Sequence, residues 1–156
     1  ILPYIEQEAL YKKFNLDEPW DSEHNLKVFR ENPMPTVYAV PGTKNKDDKK
    51  THYQAFVGNG AAFDPVAAIK FTDFTDGTSN TVLFTTAETA VEWTKPDDIE
   101  FDPKSDMKKL LLIKDGGFLV AMGDGSVRFV TGKMSEQTLK AIITRNGGEV
   151  IGPDFE

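Results

Sequence analysis

Residues 118–131 alternate apolar and polar side chains on both sides of an Asp-Gly pair, which is the pattern of a β-hairpin. Asp124 and Gly125 favour a two-residue type I′ turn, because that turn needs a positive φ at both central positions. Such a turn pairs Met122 with Val127 and Val120 with Phe129. The pairing places five apolar residues on one face and two others, Ala121 and Arg128, on the opposite face. The five are Phe118, Val120, Met122, Val127 and Phe129. An antiparallel hairpin with one buried face is therefore predicted.

Helical patterns lie near both ends of the chain. Apolar residues recur at helical spacing from Leu2 to Phe14, which predicts a short helix ending near Asn15. Towards the other end, Ser135 is placed to cap a second helix. Its apolar positions are Leu139, Ile142 and Ile143. Strand patterns follow one another between these helices, so the predicted fold class is α+β, a largely antiparallel sheet with flanking helices, in a single domain over residues 1–156.

Shorter segments carry weaker signals. Residues 52–57 and 81–86 are rich in β-forming side chains and are predicted to be strands. Residues 37–40 resemble a brief strand between prolines, and residues 108–114 fit either a strand or a short helix. Residues 44–50 contain only charged and amide side chains, which predicts a solvated loop.

Charge and cysteine content exclude several classes of protein. The 156 residues include 18 Lys and Arg against 25 Asp and Glu, a net charge of −7. This balance argues against a non-specific nucleic-acid binder and against a protein that binds anionic membranes. The chain has no cysteine, which rules out disulfides, thiolate catalysis and Cys-based zinc sites. It has 2 histidines, too few for a His-rich metal cluster. No apolar run approaches the roughly 20 residues that span a bilayer.

The sequence gives less support to a hydrolase than to a structural or ligand-binding protein. Ser79 lies in Gly77-Thr78-Ser79-Asn80-Thr81, which lacks the second glycine of a nucleophile elbow. A turn that hydrogen-bonds its own backbone accounts for these residues without catalysis. We therefore predict that the chain is not an enzyme.

Four residues are candidates for a ligand site. Trp20 and Trp93 could form a stacking platform for a sugar, or could anchor loops on the core. His24 stands beside acidic residues, where a metal or acid–base role and a simple packing role both stay open. Asp76 lies in a turn-rich acidic segment. Together they define one alternative function, an extracellular ligand-binding module that takes a glycan or calcium.

Three aspartates in turn-rich segments are candidate calcium ligands. Asp73, Asp76 and Asp124 could offer carboxylate oxygens to this hard cation. The EF-hand pattern fails, since its first, third and twelfth positions would be Thr72, Phe74 and Leu83. A calcium loop of another kind stays open beside the simpler interpretation that the Asp-Gly pairs are turns. No other cofactor is expected.

Ordered motifs along most of the chain resemble a bacterial family known as domain of unknown function 1559. The N-terminal motifs are Leu2-Pro3-Tyr4-Ile5-Glu6-Gln7, Leu10-Tyr11, Phe14-Asn15, Glu18-Pro19-Trp20-Asp21-Ser22 and Asn25. Further motifs are Met34-Pro35, Pro41, residues 53–60, Asp76-Gly77-Thr78-Ser79-Asn80-Thr81, Trp93-Thr94-Lys95-Pro96, Gly116-Gly117-Phe118, residues 124–129 and Gly147-Gly148-Glu149. The sequence departs from the family pattern at Val40 and Thr86, where members often carry Cys and Glu, and at Lys114, where some members carry His.

The resemblance implies a structural role more than a chemical one. Full-length members resemble type IV pilins and type II secretion pseudopilins, with a prepilin-type signal and a long apolar helix before a soluble α+β head. In such proteins the head is displayed outside the cytoplasmic membrane. The family also carries a solute-binding-like label without an established ligand, and no catalytic residues carry over.

The expected function is that of a non-enzymatic, exported surface protein. The chain begins at Ile1 rather than Met, so we expect any anchor of the full protein to lie upstream, and the resemblance implies that this anchor is an apolar helix. The resemblance places such a protein in the periplasm or at the cell surface. Its expected partners are further copies of itself or pilin-like proteins that assemble through that helix. No nucleic-acid partner is expected, and the helix is the only expected contact with the membrane. Loss of such a helix leaves an exposed apolar patch on the sheet.

Overall fold

The computed structural model describes residues 1–43 and 49–155. Three α-helices are present in this part: α1 (Glu8–Tyr11), α2 (Glu23–Glu31) and α3 (Glu136–Ile143). The strands are β1 (Lys50–Val57), β2 (Val82–Glu92), β3 (Ile99–Glu100), β4 (Gly117–Met122) and β5 (Val127–Thr131). Short 3-10 helices occupy Leu2–Ile5, Thr36–Tyr38, Phe71–Asp73, Met107–Leu110 and Pro153–Phe155. The loop predicted over residues 44–50 falls mainly on residues 44–48, which lie outside the described residues.

The five strands form one open sheet with the order β3-β1-β2-β4-β5. The short edge strand β3 runs parallel to β1, whereas β4 is antiparallel to both β2 and β5. Sequential strands joined by short connections pair antiparallel, as β4 and β5 do. The predicted α+β class with a largely antiparallel sheet is confirmed.

The β4–β5 hairpin forms as predicted, but its register differs by one residue. Val127 pairs with Ala121, and Phe129 pairs with Leu119. The Met122 amide donates to the Ser126 carbonyl at 2.8 Å, and Gly125 has a φ of 84°. These features define a three-residue loop with a bulge, in place of the two-residue turn. Because side chains alternate faces, the slip moves Val127 and Phe129 to the face opposite Phe118, Val120 and Met122.

The N-terminal helix is shorter and more broken than predicted. Glu6 adopts a left-handed conformation with a φ of 59°, which separates the 3-10 helix at Leu2–Ile5 from α1. The strand predicted over residues 37–40 is also wrong, because Thr36–Tyr38 is a 3-10 turn that follows Pro35. Within residues 1–43 and 49–155, no helix combines the length and the apolar character needed to cross a bilayer.

Two compact units divide the chain, and each has its own core. The first unit comprises Ile1–Thr51 and Ala90–Asp97, and the second comprises His52–Thr89 and Asp98–Glu156. In the first, Leu2, Leu10 and Val28 are buried together. In the second, α3 packs on the sheet face that carries Phe118, Val120 and Met122. The single domain expected over residues 1–156 stays a prediction.

The start of α3 is held by two side chains. Ser135 Oγ accepts from the Thr138 amide at 3.1 Å, which confirms the predicted N-cap. Asp154 accepts hydrogen bonds from the Thr138 hydroxyl and, at 2.7 Å, from the Ser135 amide. These bonds, the Thr138 hydroxyl first, lower the pKa of Asp154 from 3.8 to about 2.

Replacing Asp154 with alanine is expected to lower the free energy of unfolding in a pH-dependent way. A carboxyl whose pKa is lowered by folding contributes stability above its unfolded pKa, and that contribution is lost as the pH falls through the folded pKa. Urea unfolding of both proteins should therefore show a deficit at about pH 6 that shrinks between about pH 4 and pH 2. A deficit of constant size across this range would contradict the assignment.

Candidate functional site

Trp20 and Trp93 line one cavity in the first unit, with a volume of about 300 Å³. Tyr11 and Phe14 line it as well, so four aromatic side chains form part of its wall. The Trp93 ring stacks on Tyr38 with a centroid distance of 5.6 Å and meets Phe14 edge-on at 5.9 Å. Trp93 is therefore a core anchor that also lines the cavity, and its role as a stacking platform for a sugar stays a prediction. We call this space the aromatic cavity.

Asn25 holds in place the loop that forms one side of the aromatic cavity. Its side chain is 4% exposed and makes three hydrogen bonds of 2.9 Å, accepting from the Asn15 amide and donating to the carbonyls of Asn15 and Pro19. The Asn15 side chain in turn donates to Glu18 Oε1 at 2.8 Å. Because every bond of the Asn25 amide group ends on this loop, Glu18 and Trp20 are held beside the cavity.

Asn25 and Glu18 were not among the predicted site residues. The signal that could have found Asn25 is its place three residues before Val28, on the buried face of α2. A polar residue on an apolar helix face must find partners nearby, since an unpaired buried amide is costly. Nothing local marks Glu18, whose position depends on the fold of the loop.

His24 lies outside the aromatic cavity. Its Nε2 is 2.8 Å from the Lys13 carbonyl oxygen, and it lines a separate groove with Lys27 and Glu31. The hydrogen bond fits a histidine that ties α2 to the end of α1. The structure thus separates His24 from the two tryptophans.

Asp76 belongs to the second unit. Its carboxylate accepts from the Gly148 amide at 3.1 and 3.2 Å, and it lines a polar cavity of about 570 Å³ together with Arg128 and Glu149. The Arg128 guanidinium donates to the Ser79 carbonyl at 3.2 Å. Asp76 therefore joins the 76–81 turn to the C-terminal segment.

The carboxylates proposed for calcium all bond to backbone amides. Asp73 accepts from Lys70 at 2.8 Å, and Asp124 accepts from Ser126 at 2.9 Å. The Ser126 hydroxyl, with that amide, lowers the pKa of Asp124. In residues 1–43 and 49–155, no three acidic or histidine side chains come together as a metal site.

Apolar side chains of β2, β4 and β5 lie on the side of the sheet that faces away from α3. On β5, Val127 is 68% and Phe129 59% exposed, and the cross-strand pairs place Leu119, Ala121 and Phe84 on the same side. We call these five residues the outer sheet face. Monomeric soluble proteins seldom expose large contiguous apolar patches, so this face is a candidate contact surface.

A family model described as a protein of unknown function (DUF1559) matches residues 1–113. The chain belongs to this family. The resemblance inferred from the sequence is thereby confirmed. No curated protein and no solved structure matches the chain.

The matched residues of the DUF1559 family include Trp20, Trp93 and the turn at residues 76–81. They therefore contain the aromatic cavity as a whole, since its described lining ends at Thr94. Strands β4 and β5 and helix α3 follow the matched part. The outer sheet face thus combines Phe84 from the family region with residues beyond it.

Proposed function

We propose that this chain is the head of an exported, pilin-like protein that serves in assembly or surface display, without catalysis and without a bound cofactor. The outer sheet face is the observation that carries the proposal. A partner surface removes this face from water in the assembled protein. The resemblance of DUF1559 members to pilins and pseudopilins supports an apolar helix as the covering element, anchored in the cytoplasmic membrane.

Energetics favour a covered outer sheet face. Burying a Val or Phe side chain that is otherwise exposed contributes about 1.5–3 kcal/mol. Val127 and Phe129 stand side by side on β5, with Leu119 and Ala121 opposite them on β4. An apolar helix across these strands would bury all four at once.

Cysteine labelling in cells tests export and coverage separately. The chain has no cysteine, so single-cysteine variants of the full-length protein carry one reactive thiol. Phe129→Cys reports on the outer sheet face. Lys104→Cys, at an exposed turn of the second unit, is the matched control. A maleimide that does not cross the cytoplasmic membrane is expected to label Lys104→Cys in intact cells and to leave Phe129→Cys protected, whereas the isolated chain is labelled at both positions.

Each other outcome contradicts a defined part of the proposal. If neither variant is labelled until the cells are lysed, the protein is not exported. If both are labelled equally in intact cells, the outer sheet face is uncovered and the assembly role fails. The complete reading frame gives a second check, because a prepilin-type signal followed by about 20 apolar residues is expected upstream.

A further inference from the structure

We propose that Asn146 is a site of spontaneous deamidation, a covalent modification that converts its side-chain amide to a carboxylate. Asn146 and Gly147 follow α3 in the second unit, and both residues are exposed. Neither residue belongs to the outer sheet face, and neither lines the aromatic cavity. The inference therefore does not depend on the proposed function.

Deamidation needs only the asparagine, the next backbone nitrogen and water. The Gly147 N–H gives its proton to solvent, and its nitrogen attacks Asn146 Cγ. The bond from Cγ to Nδ2 breaks, and Nδ2 takes up a proton from solvent and leaves as ammonia. Water then opens the cyclic imide at one of its two carbonyls, which gives either aspartate or isoaspartate. Glycine favours the attack because it has no Cβ beside the nitrogen and adopts the widest range of backbone conformations.

The fold leaves the reacting groups of this pair free. In the described part of the chain, neither the Asn146 side chain nor the Gly147 amide makes a hydrogen bond. The residues on either side are fixed, since the Arg145 amide donates to a neighbouring loop at 2.8 Å and the Gly148 amide donates to Asp76. The pair therefore lies in a short unbonded stretch, where the side chain can turn towards the backbone nitrogen.

The chain contains a second Asn-Gly pair, Asn59-Gly60, which the fold protects. Asn59 has a left-handed φ of 47°, and its Nδ2 donates to the Phe101 carbonyl at 2.6 Å. This bond must break before the side chain can turn to the attacking nitrogen. An ordinary hydrogen bond corresponds to about 10-fold in rate. Because Gly60 lies beside Asn146, both pairs meet the same solvent and form a matched comparison.

The modification alters the contact between the C-terminal segment and the turn at residues 76–81. The new carboxylate adds a negative charge two residues before Gly148, close to Asp76 and Glu149. Opening to isoaspartate also routes the main chain through Cβ, which lengthens it by one atom. The Gly148 amide is bonded to both oxygens of Asp76, so a longer chain loosens this contact. We therefore expect the modified second unit to be less stable.

Peptide mapping of the aged protein tests the assignment. The purified chain is incubated for several days in mildly alkaline buffer, with or without enough urea to unfold it, and is then digested with trypsin. Cleavage after Lys50, Lys70 and Arg145 places the two pairs on different peptides, so mass spectrometry follows each conversion separately. Without urea, Asn146 is expected to convert about 10-fold faster than Asn59. In urea, both should convert at similar rates.

Asn146→Gln is the matched variant. Glutamine keeps the amide but needs a larger ring to cyclise, so this position should stay unmodified while Asn59 converts as in the parent. The change is made at Asn146 because a Cβ on Gly147 would meet the Glu149 carboxylate. Ageing without urea is expected to lower the melting temperature of the parent and to leave that of Asn146→Gln unchanged.

Three results would overturn the proposal. The first is equal conversion of Asn146 and Asn59 in the folded chain, which would mean that the fold does not distinguish the two pairs. The second is no conversion of Asn146 in the folded chain during the time in which the urea-unfolded chain converts it. The third is a melting temperature that falls equally in the parent and Asn146→Gln, or in neither, which would remove the effect assigned to this residue.

Discussion

Truncating Phe101 to alanine is expected to lower the free energy of unfolding of the second unit by about 3–5 kcal/mol. The side chain is 1% exposed and belongs to the core between the sheet and α3. Its backbone amide donates to Val57 and its carbonyl accepts from Asn59, and both bonds survive the substitution. The decrease in the free energy of unfolding therefore reports the lost burial of the ring and the cavity that its removal leaves. Urea unfolding followed by circular dichroism gives the value.

Phe71→Ala is the matched control for Phe101. It removes the same ring from a position that is 76% exposed. Surface substitutions usually change stability by less than about 0.5 kcal/mol. Since whole domains are stable by only about 5–15 kcal/mol, the Phe101 variant should also melt at a clearly lower temperature. Equal losses in the two variants would mean that Phe101 is not a core residue.

Replacing Asn25 with alanine is expected to destabilise the first unit by about 2–4 kcal/mol. The change removes three hydrogen bonds and leaves the Asn15 amide and the Asn15 and Pro19 carbonyls without that partner. The backbone N–H of residue 25 still donates to the N-cap oxygen Ser22 Oγ in the variant, because the substitution changes only the side chain. Unfolding followed by tryptophan fluorescence reports on this unit, because Trp20 and Trp93 both belong to it.

Asn32→Ala provides the comparison for Asn25. Asn32 also hydrogen-bonds within the first unit, to Val28 and Lys13, but its Lys13 contact is exposed to water. Water can replace a partner at such a site, so the expected loss is about 1 kcal/mol or less. We also expect Asn25→Ala, and not Asn32→Ala, to shift the tryptophan emission to the red as the loop loosens. A smaller loss in Asn25→Ala than in Asn32→Ala would contradict the role assigned to Asn25.

The β4–β5 hairpin illustrates what local pattern does and does not specify. The alternation around Asp124 and Gly125 predicts the two strands, the turn between them and their antiparallel pairing. It does not predict the register, because Asp-Gly suits a two-residue type I′ turn and also the three-residue loop with glycine at the bulge. Tertiary packing decides between them: the observed register places Val130 under α3 and leaves Phe129 outside.

Local sequence pattern also fails to predict which residues of the candidate site meet, because these residues are far apart in the sequence. Trp20 and Trp93 were singled out as aromatic residues in loops, and the structure brings them to one cavity. The sequence pattern groups His24 and Asp76 with them because each lies among acidic residues. His24 is held instead by the Lys13 carbonyl, and Asp76 lies in the other unit. Spacing along the chain carries no information about which loops meet, so the cavity becomes visible only through the tertiary contacts of Asn25 and Trp93.

Local chemistry in the sequence determined the α+β class, the cap at Ser135, the hairpin and the family, because each depends on neighbouring residues or on ordered motifs. Only the tertiary structure decided the strand register, the exposed outer sheet face and the aromatic cavity. These features depend on which distant side chains compete for the same buried space, and that competition is settled when the whole chain packs.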